Sequence, residues 1–104
     1  RLSDDVYAVY THFQNAGVDN AGTYSCVIGV AVPPAFVAAP AGLIRVVVPA
    51  SRRVVLPVSE GRPERVPQAW QAIWARDDLA QTYIADYEHY RPDGRIDISI
   101  GVAA

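Results

Sequence analysis

The C-terminal part of the chain constrains the fold most strongly, because its residue pattern predicts a β-hairpin. Residues 83–90 are rich in the aromatic and apolar residues that are typical of a strand, and the turn sequence Arg91-Pro92-Asp93-Gly94 follows them. The second strand, residues 95–102, alternates apolar residues with small or polar ones. Its apolar positions share one face of the strand, and they are Ile96, Ile98, Ile100 and Val102. Such a face needs another layer of structure to cover it.

A helix predicted over residues 63–76 supplies that layer. Apolar residues recur along it at helical spacing and make one apolar face, composed of Val66, Ala69, Trp70, Ile73 and Trp74. Pro63 suits the first turn of a helix. We therefore expect the isoleucine face of the last strand to pack against this helix, with Asp97 and Ser99 on the side facing away.

Four further strands are predicted upstream, over residues 6–13, 23–32, 43–48 and 53–58. The first two form an antiparallel hairpin with a long connection, and the Pro- and Ala-rich residues 33–42 read as a loop. Residues 43–48 read as a buried strand, and Pro57 places the fourth strand at or near a sheet edge. The order β-β-β-β-α-β-β predicts an α+β fold, with antiparallel sheet packed against one main helix.

Composition excludes several classes of function. The chain has 104 residues, which fits one domain, and its net charge of −2 gives no electrostatic footprint for nucleic acid. No apolar run approaches the ~20 residues of a membrane span, so no membrane partner is expected and the cytoplasm is the simplest location. Cys26 is the only cysteine, which excludes an internal disulfide and a cysteine-based metal cluster.

No cofactor or metal is predicted. His12 and His89 are the only histidines and belong to different predicted strands, so a metal site would have to recruit both from a distance. The glycines are scattered and none opens the helix, which excludes a phosphate-cradling loop. There is also no Gly-x-Ser-x-Gly nucleophile elbow.

Glu88 is the polar residue with the clearest chemical meaning. Strand alternation places it on the same face as Asp86 and Tyr90 and separates it from Tyr87. A buried carboxylate without a partner is costly, and an organic cation would supply that partner. A cation over an aromatic ring gains about 0.5–2 kcal/mol in addition. Tyr10 of the first hairpin and Trp70 of the helix are further candidates to line such a site.

An ordered series of motifs along the chain resembles a known family. The motifs are Val6-Tyr7-Ala8-Val9-Tyr10-Thr11, Val48-Pro49-Ala50, Gly61, Trp70-x-x-Ile73-Trp74, Ala85-Asp86-Tyr87-Glu88-x-Tyr90 and Ile96-Asp97-Ile98-x-Ile100-Gly101. Their succession resembles the GyrI-like small-molecule-binding domain. This is the effector-binding domain of some bacterial transcription activators, and it also occurs as a stand-alone protein, including on integron cassettes.

The resemblance implies a pseudo-two-fold pair of β-α-β-β modules whose sheets form a ligand groove. Ligands of such domains are often aromatic or amphipathic cations, bound by an acid that matches Glu88 here. Compared with this pattern, residues 1–104 form a single effector-binding-like domain that lacks the first strand and helix of the first module. An exposed sheet edge would result, and it predicts self-association as a homodimer.

The ligand class and the activity stay open. Arg53 and Leu56 stand where the family usually carries Tyr and Phe, and an arginine near the acid would repel a cation or pair with the acid. We expect a non-enzymatic module that binds small molecules. The alternatives are a hydrolase of strained electrophilic compounds that uses Glu88 and Tyr90, and a protein-binding module of the gyrase-inhibitor type.

Overall fold

One five-stranded antiparallel sheet organises the molecule, with the strand order β2-β1-β4-β5-β3. The computed structural model describes residues 4–18, 21–32, 42–58 and 61–103. The strands are β1 (Val6–Thr11), β2 (Ser25–Gly29), β3 (Arg52–Pro57), β4 (Ala85–Tyr90) and β5 (Ile96–Val102). The helix α1 (Val66–Trp74) follows a short 3-10 turn, Pro63–Arg65. The α+β fold predicted from the sequence is confirmed.

The predicted C-terminal hairpin is present as β4 and β5. Its turn is closed by the Arg91 N–H, which donates to the Arg95 carbonyl at 2.9 Å, and by the Gly94 N–H, which donates to the Arg91 carbonyl at 3.0 Å. Gly94 has a φ of 90°, a conformation that glycine adopts without steric cost. The register pairs Glu88 with Ile98, so Glu88 lies on the isoleucine face of the sheet.

The main core lies between that face and α1. It consists of Val58, Val66, Trp70, Ile73, Ile96, Ile98, Ile100 and Val102. Ile98 and Ile100 are completely buried. The predicted contact between the helix and the last strand is therefore confirmed for Val66, Trp70 and Ile73. Trp74 differs, because its position at the last residue of the helix leaves it 44% exposed.

The predicted buried strand at residues 43–48 is wrong. These residues have no strand assignment, and Leu43, Ile44 and Val47 are 65–70% exposed. The segment has the β-branched composition of a strand, but strand preference depends on pairing and packing partners, and none of the five described strands pairs with it. Most of the predicted loop at residues 33–42 lies outside the described residues.

On the sheet face away from α1, the side chain of Arg53 on β3 contacts residues of β5 and β4. Its Nε donates to Ser99 Oγ at 2.7 Å, its Nη2 donates to the Ala85 carbonyl at 2.6 Å, and its guanidinium lies 4.8 Å from the centre of the Tyr87 ring. Asp97 and Ser99 do face away from the helix, as expected, and Ser99 is buried among these contacts. Among the described residues, no helix is long and apolar enough to cross a membrane.

Replacing Ile100 with alanine tests the position of the core. Ile100→Ala removes completely buried methyl groups, so we expect it to lower the free energy of unfolding by about 2–5 kcal/mol. Val55→Ala is the matched control, because Val55 is 57% exposed on the neighbouring strand and should cost less than about 1 kcal/mol. Urea unfolding measures both. Equal losses would contradict the core described above.

Candidate functional site

A buried carboxylate, Glu88, is the centre of the candidate site. Glu88 is only 4% exposed. Its carboxylate accepts hydrogen bonds from three neutral donors. The Trp70 indole Nε1–H donates to Oε2 at 2.6 Å, and the Tyr10 hydroxyl donates to the same oxygen at 2.9 Å. The Tyr90 hydroxyl donates to Oε1 at 2.7 Å. Three of roughly four lone-pair positions of the carboxylate are thereby satisfied.

Each donor reaches Glu88 for a local structural reason. The β1–β4 register sets Ala8 directly opposite Glu88 and Tyr10 opposite Asp86, so the small Ala8 leaves room for the Tyr10 ring to reach diagonally. Tyr90 lies two residues beyond Glu88 on the same face of β4. Trp70 comes from the buried face of α1.

The charge of Glu88 has no basic partner within the described residues. None of the described ion pairs includes Glu88, and all three of its hydrogen-bond donors are uncharged. Arg53, which the sequence suggested as a competitor, instead lies 4.0 Å from Asp86 and bonds mainly on the opposite face of the sheet. Within the described residues, Glu88 is therefore stabilised by neutral hydrogen-bond donors rather than by an ion pair, whereas the neighbouring Asp86 lies close to a cation.

The two tyrosines that contact Glu88 keep their protons. Burial raises the pKa of Tyr10, and its hydrogen bond to the Glu88 carboxylate raises it further. The same two causes, in the same order, raise the pKa of Tyr90. Both hydroxyl groups are therefore neutral donors at physiological pH rather than bases.

An aromatic pocket lies beside this carboxylate. Its volume is about 90 Å³, and it is partly open to solvent. The lining residues are Tyr10, Phe13, Tyr24, Trp70, Trp74, Tyr83 and Asp86. Neighbouring rings are in contact, with centroids 5.2 Å apart for Tyr10 and Trp70 and 5.5 Å apart for Trp70 and Trp74. Rings at such spacings form a continuous wall of π-faces and edges.

Two unusual backbone positions shape one side of the pocket. His12 directly follows β1 with a φ of 54°, and Tyr83 lies two residues before β4 with a φ of 52°. Because Thr11 pairs with Ala85, both turns occur at the same end of the sheet. They bring the Phe13 and Tyr83 rings to a centroid distance of 6.5 Å. Left-handed conformations of residues other than glycine are uncommon, and strained backbone of this kind is often found at ligand sites.

Asp86 is the acid that lines the pocket itself. It is 3% exposed, and its Oδ1 accepts the Gly101 N–H at 2.8 Å. Burial raises the pKa of Asp86, while the Gly101 N–H and the charge of Arg53 oppose that rise. The pocket thus has one acid in its lining. Glu88 does not line the pocket, but two of the lining residues, Tyr10 and Trp70, donate hydrogen bonds to it.

The structure brings together all four residues proposed from the sequence: Glu88, Tyr90, Tyr10 and Trp70. It keeps Tyr87 apart from them, on the opposite face and stacked with Tyr7 at 5.6 Å. The two histidines also lie apart from each other, since His12 is exposed and His89 pairs with Asp5. In the described part of the chain, no group of three His, Cys, Asp or Glu residues is arranged to hold a metal ion.

Sequence reasoning missed five residues that line the pocket: Phe13, Tyr24, Trp74, Tyr83 and Asp86. Asp86 shares the alternation of Glu88, so the same rule could have identified it. Phe13 and Tyr24 lie just outside β1 and β2, where strand alternation carries no information about side-chain direction. Helical periodicity predicts that Trp74 lies in the core, because it does not show where the sheet beneath a helix ends.

An α+β domain with an aromatic, acid-bearing pocket between its helix and its sheet is built to bind small molecules. Comparison with known families gives the same class. The family model of the GyrI-like small molecule binding domain matches residues 2–101, which is nearly the whole chain, so this chain belongs to the GyrI-like family. No curated protein and no solved structure shows a significant match to it.

A double-mutant cycle tests the bond between Trp70 and Glu88. Trp70→Phe removes the indole donor while keeping an aromatic ring, and Glu88→Gln removes the charge while keeping an oxygen acceptor. Hydrogen bonds to charged groups contribute more than neutral ones, so we expect a coupling energy of about 1 kcal/mol in urea unfolding. The cycle cancels the packing lost by Trp70→Phe. Additive effects of the two substitutions would contradict a charge-assisted bond.

The pH dependence of stability tests the environment of Asp86. The pKa of Asp86 in the folded state lies above its ordinary value of 3.8, so with rising pH the unfolded chain loses this proton first. Stability contributed by Asp86 is therefore full at low pH and declines as pH rises from about 3.8 until the folded carboxyl has also ionised.

Asp86→Asn should remove this decline, because an Asn side chain does not ionise. Asn also keeps an oxygen that can accept the Gly101 N–H, so the local structure should be preserved. We expect the stability of the wild type relative to Asp86→Asn to fall with rising pH in that range. Urea unfolding at a series of pH values measures it. A difference that is constant or grows with pH would mean that the pKa of Asp86 is not raised in the folded state.

Proposed function

We propose that this domain binds small organic cations, with the cationic group in the aromatic pocket and Glu88 as the acid that selects positive charge. The observation that carries the proposal is the burial of Glu88 among three neutral donors without a basic partner in the described residues. A negative charge in a poorly solvated environment acts over longer distances than one in water. Asp86 adds a second acid at the pocket wall.

The aromatic walls support the same ligand class. Positive charge is attracted to the faces of tryptophan and tyrosine rings, and cages of such rings recognise quaternary ammonium groups. A volume of about 90 Å³ suits a compact ammonium head group rather than a whole drug-sized molecule. Tyr24 and Trp74 are 46% and 44% exposed, so the remainder of a larger ligand would extend past them towards solvent.

The contacts of Glu88 favour binding over catalysis. A general base must reach the proton that it removes, and both oxygens of Glu88 already accept hydrogen bonds from Trp70, Tyr10 and Tyr90. Hydrolysis by Glu88 and Tyr90 would require some of these donors to leave. Binding requires only the charge of Glu88, which the three donors stabilise.

Binding of benzyltrimethylammonium by calorimetry tests the proposal. We expect the wild type to bind this cation and to show no comparable affinity for benzenesulfonate, which has the same ring and the opposite charge. Glu88→Gln should weaken cation binding about tenfold or more, because the loss of one nearby charge interaction in a poorly solvated site is worth at least about 1.4 kcal/mol.

Asp97→Asn is the matched control. Asp97 is an acid of the neighbouring strand, but it pairs with Arg91 on the opposite face of the sheet, so its removal should leave the affinity unchanged. Equal affinity of the wild type and Glu88→Gln for benzyltrimethylammonium would refute the role of Glu88.

A further inference from the structure

A second groove lies on the other flank of α1, between the helix and the edge strand β3. Its volume is about 370 Å³, which is within the range of small-molecule sites. The lining residues are Leu56, Pro57, Arg65, Gln68, Ala69, Ala72, Ile73, Arg76 and Ile98. None of them lines the aromatic pocket, so the two sites are distinct.

The groove exists because the helix presents small side chains over the sheet here. Ala69 and Ala72 lie one turn apart on this flank of α1 and leave open space above the strands. Leu56 and Ile98 are register partners on the helix-facing side of β3 and β5. Ile98 is completely buried beneath the groove, so the half-buried Leu56 supplies the apolar surface that a ligand can reach. A ligand in this groove would therefore meet apolar surface beneath it.

The charges around this groove are opposite to those of the aromatic pocket. Its lining contains two arginines and no acid, whereas the aromatic pocket contains an acid and no base. Arg76 is already paired with Asp78, to which its Nε and Nη2 donate at 2.8 and 2.6 Å. The side chain of Arg65 makes no hydrogen bond or ion pair within the described part of the chain, and it is exposed to solvent. Its guanidinium is therefore available to an anion.

We propose that this groove binds small organic carboxylates with an aliphatic body. The carboxylate pairs with the Arg65 guanidinium, whose planar fork matches a carboxylate in a two-point hydrogen bond. The aliphatic chain lies over Leu56, along the gap left by Ala69 and Ala72. The helix α1 then separates a site for cations from a site for anions, and the second site does not depend on the function proposed for Glu88.

Octanoate and 1-octanol are suitable probes, because they share an aliphatic chain and differ in the charged group. We expect octanoate added to the folded protein to shift the backbone amide NMR signals of residues 56–57 and 65–76. Octanol should bind more weakly. Arg65→Gln should raise the dissociation constant for octanoate about fivefold or more, because it removes a charge-assisted pair. Ala72→Phe should abolish binding by filling the groove.

Two control variants separate this site from its surroundings. Arg62→Gln removes a neighbouring exposed arginine that does not line the groove, and it should leave octanoate affinity unchanged. Glu88→Gln should also leave it unchanged, so failure of the cation site and failure of this one are distinguishable. The proposal is overturned if octanol binds as tightly as octanoate, if Arg65→Gln has no effect, or if the shifted signals lie elsewhere.

Discussion

The burial of one carboxylate among neutral donors is the interaction on which the geometry of the candidate site depends. Glu88 is contacted by Tyr10 from β1, Tyr90 from β4 and Trp70 from α1, so its side chain joins two neighbouring strands to the helix. A buried charge costs free energy unless hydrogen bonds compensate for the lost water. Three donors do so here, and none of them cancels the charge. The same contacts therefore connect the helix to the sheet, and in the proposed function they keep an acid close to the aromatic pocket.

Alternation along strands accounts for what the sequence could predict about the site. Because side chains alternate between the two faces of a strand, residues 85–90 alone place Glu88 with Tyr90 and apart from Tyr87. The helical spacing of Trp70 likewise predicts that it faces the sheet. The hairpin and the helix were predictable for the same reason. Strand alternation and helical spacing depend on local backbone geometry rather than on the rest of the fold.

The features that the sequence could not predict depend on contacts between distant segments or on irregular backbone. Phe13 and Tyr83 enter the pocket through left-handed residues at the ends of β1 and β4, and no periodic pattern encodes such turns. Residues 43–48 have strand-like composition, but a strand forms only where a neighbouring strand pairs with it. None of the five described strands pairs with this segment, and three of its apolar side chains are exposed. The contacts of Arg53 likewise depend on distant segments, because the β3–β5 register sets Arg53 opposite Gly101, and its side chain reaches diagonally to Ser99.

The location of a bound cation tests the central claim most directly. We expect NMR of the complex with benzyltrimethylammonium to show nuclear Overhauser effects from the ligand methyl groups to ring protons of Tyr10, Trp70 and Trp74. Those contacts would place the positive charge beside Glu88. Contacts confined to the opposite face of the sheet around Tyr7 and Tyr87, or to the Arg65 groove, would contradict the assignment of the aromatic pocket as the ligand site.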